Sequence, residues 1–159
     1  MRSSLLPIAI AALAALSAAA QAGTVSVNFV EAQRFSDAGR GTLDIERNTQ
    51  ALARHLQKLG QRLPEGQTLQ VEVLDLDLAG ELRQLQTHEL RVLRGAADWP
   101  RVSLRYSLLE NGREVKSGEE RLAGMNYMHD RLPTSGSQEF LAHDKHLLGQ
   151  WFEKRFMAP

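Results

Sequence analysis

Three acidic side chains that lie close together in the chain are the best candidates for a chemical site. Asp75, Asp77 and Glu81 follow an apolar run, with Gly80 directly before the last of them. If their oxygens converged, they would suit one hard cation, or the acid–base work of a small hydrolase. The spacing lacks the later acidic positions of an EF-hand. It favours a structural turn whose carboxylates are solvated or paired with arginine, with cation binding as the alternative.

The strand that precedes these carboxylates constrains the side on which they lie. One face of that strand carries Leu69, Val71, Val73, Asp75 and Asp77. Two unpaired carboxylates cannot continue a face that enters an apolar core. Either a β-bulge near Val73-Leu74 exchanges the two faces and turns the leucines at 74, 76 and 78 inward, or the carboxylates lie at the strand end beside a partner.

A semi-apolar loop at residues 124–129 is the second candidate. Its residues Asn126 and Tyr127 would suit an adaptable contact surface for a ligand or a partner. The alternative, which the composition favours, places Met125 and Tyr127 under the sheet as a lid.

Other motifs of catalysis and cofactor binding lack their essential parts. His143 and His146 have a spacing that can serve zinc, but no third ligand is assigned, and we interpret them as exposed histidines. Ser135 and Ser137 lack the nucleophile elbow of a hydrolase. Gly39-Arg40-Gly41 lacks the glycine fingerprint of a nucleotide-binding loop. The sequence therefore assigns no catalytic residue, no metal ligand and no cofactor, and it favours a protein that is not an enzyme.

The N-terminus predicts export. A positive residue precedes an apolar run from Leu5 to Leu16, and Ala20-Gln21-Ala22 has small residues where a signal peptidase reads. The run is too short for a bilayer core, which needs about 20 apolar residues. We expect a signal peptide of residues 1–22, cleavage after Ala22, and a soluble periplasmic domain of residues 23–159 without a membrane span.

Composition excludes several classes of protein. The chain has no cysteine, which removes disulfides, thiolate metal sites and the lipid-bearing cysteine of a lipoprotein. Its 19 basic residues balance its 19 acidic residues. A near-neutral charge argues against nucleic acid as a partner.

Periodicity predicts strands and two helices. Val25, Val27 and Phe29 alternate with polar residues as in a half-buried strand, another strand begins at Thr68, and a weaker one covers Glu89 to Arg94. A helical stripe runs through Ile45, Thr49, Leu52, Leu56, Leu59 and Leu63. Thr42 or Asp44 is the expected cap of this helix, and Gly60 its end.

A second helix is predicted near the C-terminus. Ser135 and Gln138 have the spacing of a capping box that opens it. Its apolar residues fall at helical spacing, which favours core positions over a binding platform: Phe140, Leu141, Leu147, Leu148, Trp151, Phe152 and Phe156.

A β-hairpin is the clearest local signal. Asn111-Gly112 between two alternating runs is typical of a type I′ turn, which pairs Glu110 with Arg113. The same register places Glu119 opposite Leu104, on the apolar face. We therefore expect the pairing to end or bulge before Glu119, with a partly buried carboxylate as the alternative.

The order of these elements predicts an α+β fold with a single two-layer domain. We expect an antiparallel-dominated sheet of about 4–5 strands with both helices on one face and the other face in water.

Several segments together resemble a known bacterial family. They are Val25-Ser26-Val27-Asn28-Phe29, Asp37-Ala38-Gly39, Leu76-Asp77-Leu78-Ala79-Gly80-Glu81, Gly118-Glu119, Leu122 and Met125-Asn126-Tyr127. The chain resembles the exported domain-of-unknown-function family 3016 of Gram-negative bacteria over nearly all of its mature length. The resemblance implies a periplasmic setting and one small domain, without an assigned activity, cofactor or site.

Three functions are compatible with these observations. The sequence favours a non-catalytic binding or assembly module of the periplasm, whose partner is an unknown envelope protein or a small ligand. The first alternative is a small metal-binding protein or hydrolase that uses Asp75, Asp77 and Glu81. The second is a structural accessory protein paired through the edge strand at Glu114 to Arg121.

Overall fold

Six strands and two helices make up the computed structural model, which describes residues 22–85, 88–95, 97–132 and 139–158. In chain order they are β1 (Thr24–Phe29), α1 (Thr42–Gly60), β2 (Gln67–Asp77), β3 (Glu81–Leu85), β4 (His88–Val92), β5 (Arg101–Glu110), β6 (Arg113–Ala123) and α2 (Ala142–Phe152). The expected capping box at Ser135 and Gln138 and the signal peptide up to residue 21 lie outside the described residues.

The main sheet has four strands in the order β1-β2-β5-β6. Strand β1 runs parallel to β2, and the other two pairings are antiparallel. Residues of both helices join one apolar face of this sheet in the core, so the predicted α+β class with helices on one face is confirmed. The weak strand predicted at Glu89 to Arg94 does not join the main sheet. It forms β4 and pairs with β3 in a separate two-stranded sheet, and the sequence did not predict β3.

Helix α1 buries the stripe that the sequence predicts. Leu52 and Leu56 are buried and belong to the core cluster. The predicted cap is wrong, because the N-cap residue is Gly41 and no side chain caps the helix there. Asp44 instead reaches back and accepts a hydrogen bond from the backbone N–H of Arg40 at 3.1 Å.

A β-bulge in β2 decides the side on which the acidic residues lie. The register with β5 shifts at Leu74, which is half-buried. Beyond the bulge, Leu76 and Leu78 enter the core and are each 1 % exposed. Asp75 and Asp77 therefore lie on the opposite face, as the bulge hypothesis predicts, because a strand alternates its faces residue by residue.

The β5–β6 hairpin has the predicted turn. Asn111 and Gly112 have φ values of 50° and 79°, the two positive angles of a type I′ turn. Glu110 pairs with Arg113 across it.

The expected bulge in β6 is also present. The register shifts between Leu108 and Leu109, which leaves Val115 without a cross-strand partner. The shift moves Glu119 to the water-facing side of the sheet and brings Glu120 to the core side. Glu120 is half-buried there and forms an ion pair with Arg155 at 2.8 Å.

Helix α2 contributes most of its aromatic residues to the core. Trp151 and Phe152 are buried, and Phe156 in the following turn packs edge-on against Tyr106. The core prediction is wrong for Phe140, which is 45 % exposed just before the helix. Neither described helix is long and apolar enough to span a bilayer.

Candidate functional site

A cleft of about 900 Å³ opens between the beginnings of the two helices and the β3–β4 hairpin. We call it the interhelical cleft. Its rim is formed by Leu43 of α1, Leu90 of β4, Leu93 after β4, and Phe140 before α2. These four apolar side chains are between 39 % and 83 % exposed. Exposed apolar side chains gathered around one concavity are typical of ligand-binding surfaces.

Asp144 forms part of the wall of this cleft and is 2 % exposed. It is the third residue of α2, and its Oδ1 accepts a hydrogen bond from the backbone N–H of Ala79 at 3.0 Å. Burial raises the pKa of the Asp144 carboxyl to about 6, against the opposing effects of its backbone hydrogen bonds and of Arg91. The Asp144 carboxyl therefore exchanges its proton near pH 6, a pH at which most carboxyl groups are already ionised.

Arg91 fixes the β3–β4 hairpin against the end of β2. Its Nη1 and Nη2 donate to the two carboxylate oxygens of Asp37 at 2.9 and 3.1 Å. Nη1 also donates to the carbonyl oxygen of Gly80 at 2.9 Å. Such a bidentate pair has a defined geometry. The hairpin wall of the cleft is thus held by an arginine that is paired with Asp37 and hydrogen-bonded to the backbone of Gly80.

Asn48 is a second buried polar group in the wall and is 3 % exposed. Its Nδ2 donates to the carbonyl oxygen of Ala38 at 2.9 Å. In the described part of the chain, its Oδ1 has no hydrogen-bond partner. Buried acceptors without a partner are rare in proteins, because losing water without a replacement bond destabilises the fold.

Two ion pairs lie at the mouth of the cleft. Arg40 pairs with Glu89, and Arg47 pairs with Asp44. Arg47 also lies over the ring of Phe140, with 5.1 Å between its Cζ and the ring centroid. These charges neutralise each other within the rim, so the rim presents apolar side chains and matched pairs.

The acidic residues singled out from the sequence do not come together. Asp75 accepts hydrogen bonds from the backbone N–H and hydroxyl of Ser36 at 2.7 and 2.8 Å. Asp77 pairs with Arg101 at 2.5 Å, and Glu81 pairs with Arg83 at 2.9 Å. Residues 22–85, 88–95, 97–132 and 139–158 contain no group of three or more metal-binding side chains. The stretch is thus a bulged strand end with separately partnered carboxylates.

The loop candidate divides into one buried and two exposed residues. Tyr127 is 2 % exposed, its hydroxyl accepts the backbone N–H of Gly95 at 3.1 Å, and its ring meets His143 edge-on at 4.9 Å between centroids. The interpretation of His143 and His146 as exposed histidines is wrong, because both are half-buried. Burial lowers the pKa of His143. Asn126 is exposed, and Met125 is 65 % exposed. The lid interpretation therefore holds for Tyr127 and is wrong for Met125, and none of the three lines the interhelical cleft.

Sequence reasoning missed Asn48 and Asp144, although both left a signal. Asn48 lies three residues after Ile45 and four before Leu52, and thus on the buried stripe of α1. Asp144 lies four residues before Leu148 on the apolar side of α2. A polar residue at a core position of a helical stripe is the pattern that would have identified them.

The architecture defines a class: an α+β protein with an open, mostly antiparallel sheet and helices packed on one face. The family follows from the sequence match, because residues 23–154 match the family DUF3016, described as a protein of unknown function. The chain belongs to this family, and the resemblance noted from its motifs is confirmed. No curated protein and no solved structure matches it.

Proposed function

We propose that this protein is an exported periplasmic module that binds a small ligand in the interhelical cleft and does not transform it. The cleft itself carries the proposal. Its volume of about 900 Å³ lies within the range of small-molecule sites, roughly 300–1,000 Å³. An apolar rim and a few buried polar groups are the combination by which such sites bind and orient a ligand.

The chemistry of the wall supports binding over catalysis. The chain contains no cysteine, and the described residues that line the cleft include no serine or threonine. The described part of that wall therefore offers no cysteine, serine or threonine as a covalent nucleophile. Asp144 has its Oδ1 hydrogen-bonded to the backbone of Ala79, an arrangement that orients a carboxylate for binding.

The N-terminal segment supports export. The apolar run and the Ala20-Gln21-Ala22 pattern are those of a cleavable signal peptide. The family match begins at Gly23, and the first described strand begins at Thr24. Both lie after the expected cleavage position, so loss of the leader leaves every described element intact.

A titration with small organic fragments tests the binding function. We expect fragments with an apolar body to shift the backbone NMR signals of Leu90 and Leu93 at the cleft rim. Leu43→Glu should weaken the binding of uncharged fragments about tenfold, since a charge then replaces apolar surface at the rim. Val115→Glu is the matched control, because Val115 is an exposed apolar residue of β6 that does not line the cleft.

Two results would contradict the proposal. One is a fragment set of mixed charge that shifts no signal at the rim. The other is equal binding of uncharged fragments by wild type and Leu43→Glu. Retention of full-length precursor in the cytoplasm, seen after fractionation, would contradict the export part alone.

A further inference from the structure

The charges around the interhelical cleft leave one carboxylate without a cation. Arg40, Arg47 and Arg91 are each paired with one acid, and those acids are Glu89, Asp44 and Asp37. Glu139, also in the wall, pairs with Lys145 at 2.5 Å. Among the described residues of the wall, Asp144 has no ion-pair partner. When it is ionised, the cleft therefore has one uncompensated negative charge.

Asp144 and Asn48 offer buried acceptors in the cleft, which also contains His143, whose buried Nδ1 has no partner among the described residues. Asp144 offers carboxylate oxygens, of which Oδ1 is used by Ala79. Asn48 offers an Oδ1 that has no partner in the described chain. Both residues line the same cleft and are at most 3 % exposed. Two acceptors at one site are complementary to a ligand that brings several N–H donors on one atom.

We propose that the ligand of the interhelical cleft is a small organic cation, a protonated amine on an apolar body, whose ammonium group binds between Asp144 and Asn48. The inference rests on the binding function proposed above and specifies the chemical class of its ligand. The apolar body would pack against the rim side chains Leu43 and Phe140. An ammonium group carries three donors and no acceptor, which matches the acceptor oxygens of Asp144 and Asn48 in the wall.

The burial of Asp144 and Asn48 has one consequence for binding, and the exposure of the rim has another. A charge pair formed away from water attracts more strongly than one on the surface, because the local dielectric constant is lower. The rim side chains are also free to move aside for a ligand. Leu43 is 83 % exposed and Phe140 is 45 % exposed, and exposed side chains change rotamer within nanoseconds.

The protonation state of Asp144 provides an independent test of the same site, because it makes the binding of a cation depend on pH. The raised pKa of this carboxyl, about 6, follows from burial, with Arg91 opposing the shift and Asp37 adding to it. An alkylammonium stays protonated until about pH 10. Binding of a cation should therefore strengthen as the pH rises through the pKa of Asp144, while binding of a neutral ligand should not. Loss of a proton from His143, which also lines the cleft and whose pKa burial lowers, acts in the same direction.

The test compares three probes with the same six-carbon chain: hexylamine, hexanol and hexanoate. Each is titrated into the full mature protein, and the backbone amide of Ala79 is observed by NMR because it donates to Asp144. We expect hexylamine to bind about tenfold or more tightly than hexanol, as for a charge-assisted hydrogen bond, and hexanoate to bind least. The affinity for hexylamine should fall about tenfold from about pH 8 to about pH 5, since only roughly a tenth of Asp144 is ionised at the lower pH.

Asp144→Asn should remove the preference for hexylamine, because it keeps an acceptor for Ala79 and removes the charge. Glu119→Gln is the matched control, since Glu119 is an exposed acid on the opposite side of the sheet. If hexanol or hexanoate binds at the rim with the same affinity as hexylamine, this inference is overturned and the proposed binding function stands. An amine preference that persists in Asp144→Asn, or shows no change with pH, also overturns it. No rim binding by any of the three probes overturns both proposals.

Discussion

The backbone N–H of Ala79 donates a 3.0 Å hydrogen bond to Oδ1 of the buried Asp144. The two residues are far apart in sequence, and this bond joins the end of β2 to the first turn of α2. It brings a carboxyl group to the wall of the interhelical cleft without an ion-pair partner among the described residues. The pH dependence of stability should therefore report on this contact.

Asp144→Asn should change how the free energy of unfolding depends on pH. The folded pKa of Asp144 is about 6, above its ordinary value of 3.8, so the folded state favours the protonated form. Its contribution to stability is then complete below about pH 4 and is lost as the pH rises through about 6. The loss amounts to on the order of 3 kcal/mol by linkage, and the variant should not show it.

Urea unfolding of wild type and Asp144→Asn between about pH 4 and about pH 8 measures this difference. The variant should become more stable relative to wild type as the pH rises. Parallel stability curves for the two proteins would show that Asp144 is ionised and compensated in the folded state. Glu119→Gln, at an exposed acid, serves as the control.

Leu56→Ala should destabilise the fold by about 2–5 kcal/mol, the usual range for a fully buried leucine. Leu56 is 0 % exposed at the centre of the α1 stripe. Leu43→Ala is the control on the same helix, since Leu43 is 83 % exposed, and it should cost less than about 0.5 kcal/mol. Equal midpoints for the two variants in denaturant would contradict the assignment of the buried face.

Gly112→Val should destabilise the β5–β6 hairpin by about 1 kcal/mol or more, because a β-branched residue is strained at positive φ. Gly112 has a φ of 79° and no atom within 4 Å of an added Cβ, so the backbone angle alone opposes the side chain. Gly112→Asn is the matched control, since asparagine tolerates this conformation better. Thermal unfolding separates them, and a midpoint in Gly112→Val equal to wild type would contradict the turn.

Much of the fold could be predicted because its signals are local. The Asn111-Gly112 turn, the α1 stripe and the conflict between Asp75 and an apolar face each lie within a short segment. The bulge at Leu74 followed from that conflict, since burial of unpaired carboxylates is too costly. Such arguments need only the alternation of a strand or the period of a helix.

The interhelical cleft could not be predicted because it depends on contacts between distant segments. Arg91 holds the β3–β4 hairpin through Asp37, 54 residues earlier in the chain. Neither residue has a local pattern that selects the other as its partner. Asn48 and Asp144 each lie on the buried side of a helix, but the helical pattern alone does not show that the two residues line one cleft.

Processing should occur after Ala22, so N-terminal sequencing of the exported protein should begin at Gly23. The backbone N–H of Gly23 donates to the carbonyl oxygen of Leu63 at 3.1 Å, and an added Cβ would lie 2.4 Å from Leu63 Cβ. The new amino terminus can keep this bond. Ala22→Arg should block cleavage, since signal peptidase requires a small residue there. A mature protein that retains Met1 would contradict the assignment.

Replacing Asp75 and Asp77 together by asparagine should change the free energy of unfolding by less than about 1 kcal/mol, as for partly exposed ion pairs. Both carboxylates lie outside the core beyond the bulge, and each has its own partner, Ser36 or Arg101. Asparagine keeps an acceptor oxygen for Ser36.

Thermal unfolding of wild type and this double variant, with and without calcium, magnesium or zinc, checks the prediction. The matched control is Glu72→Gln with Glu119→Gln, two exposed acids that share Arg105. Because Asp75 and Asp77 bind separate partners, no cation should raise the midpoint of any of the three proteins. A cation-dependent gain in wild type that the double variant loses would establish a shared ion, since binding to the folded state stabilises it by mass action. The acidic strand end would then be a second binding site in addition to the interhelical cleft.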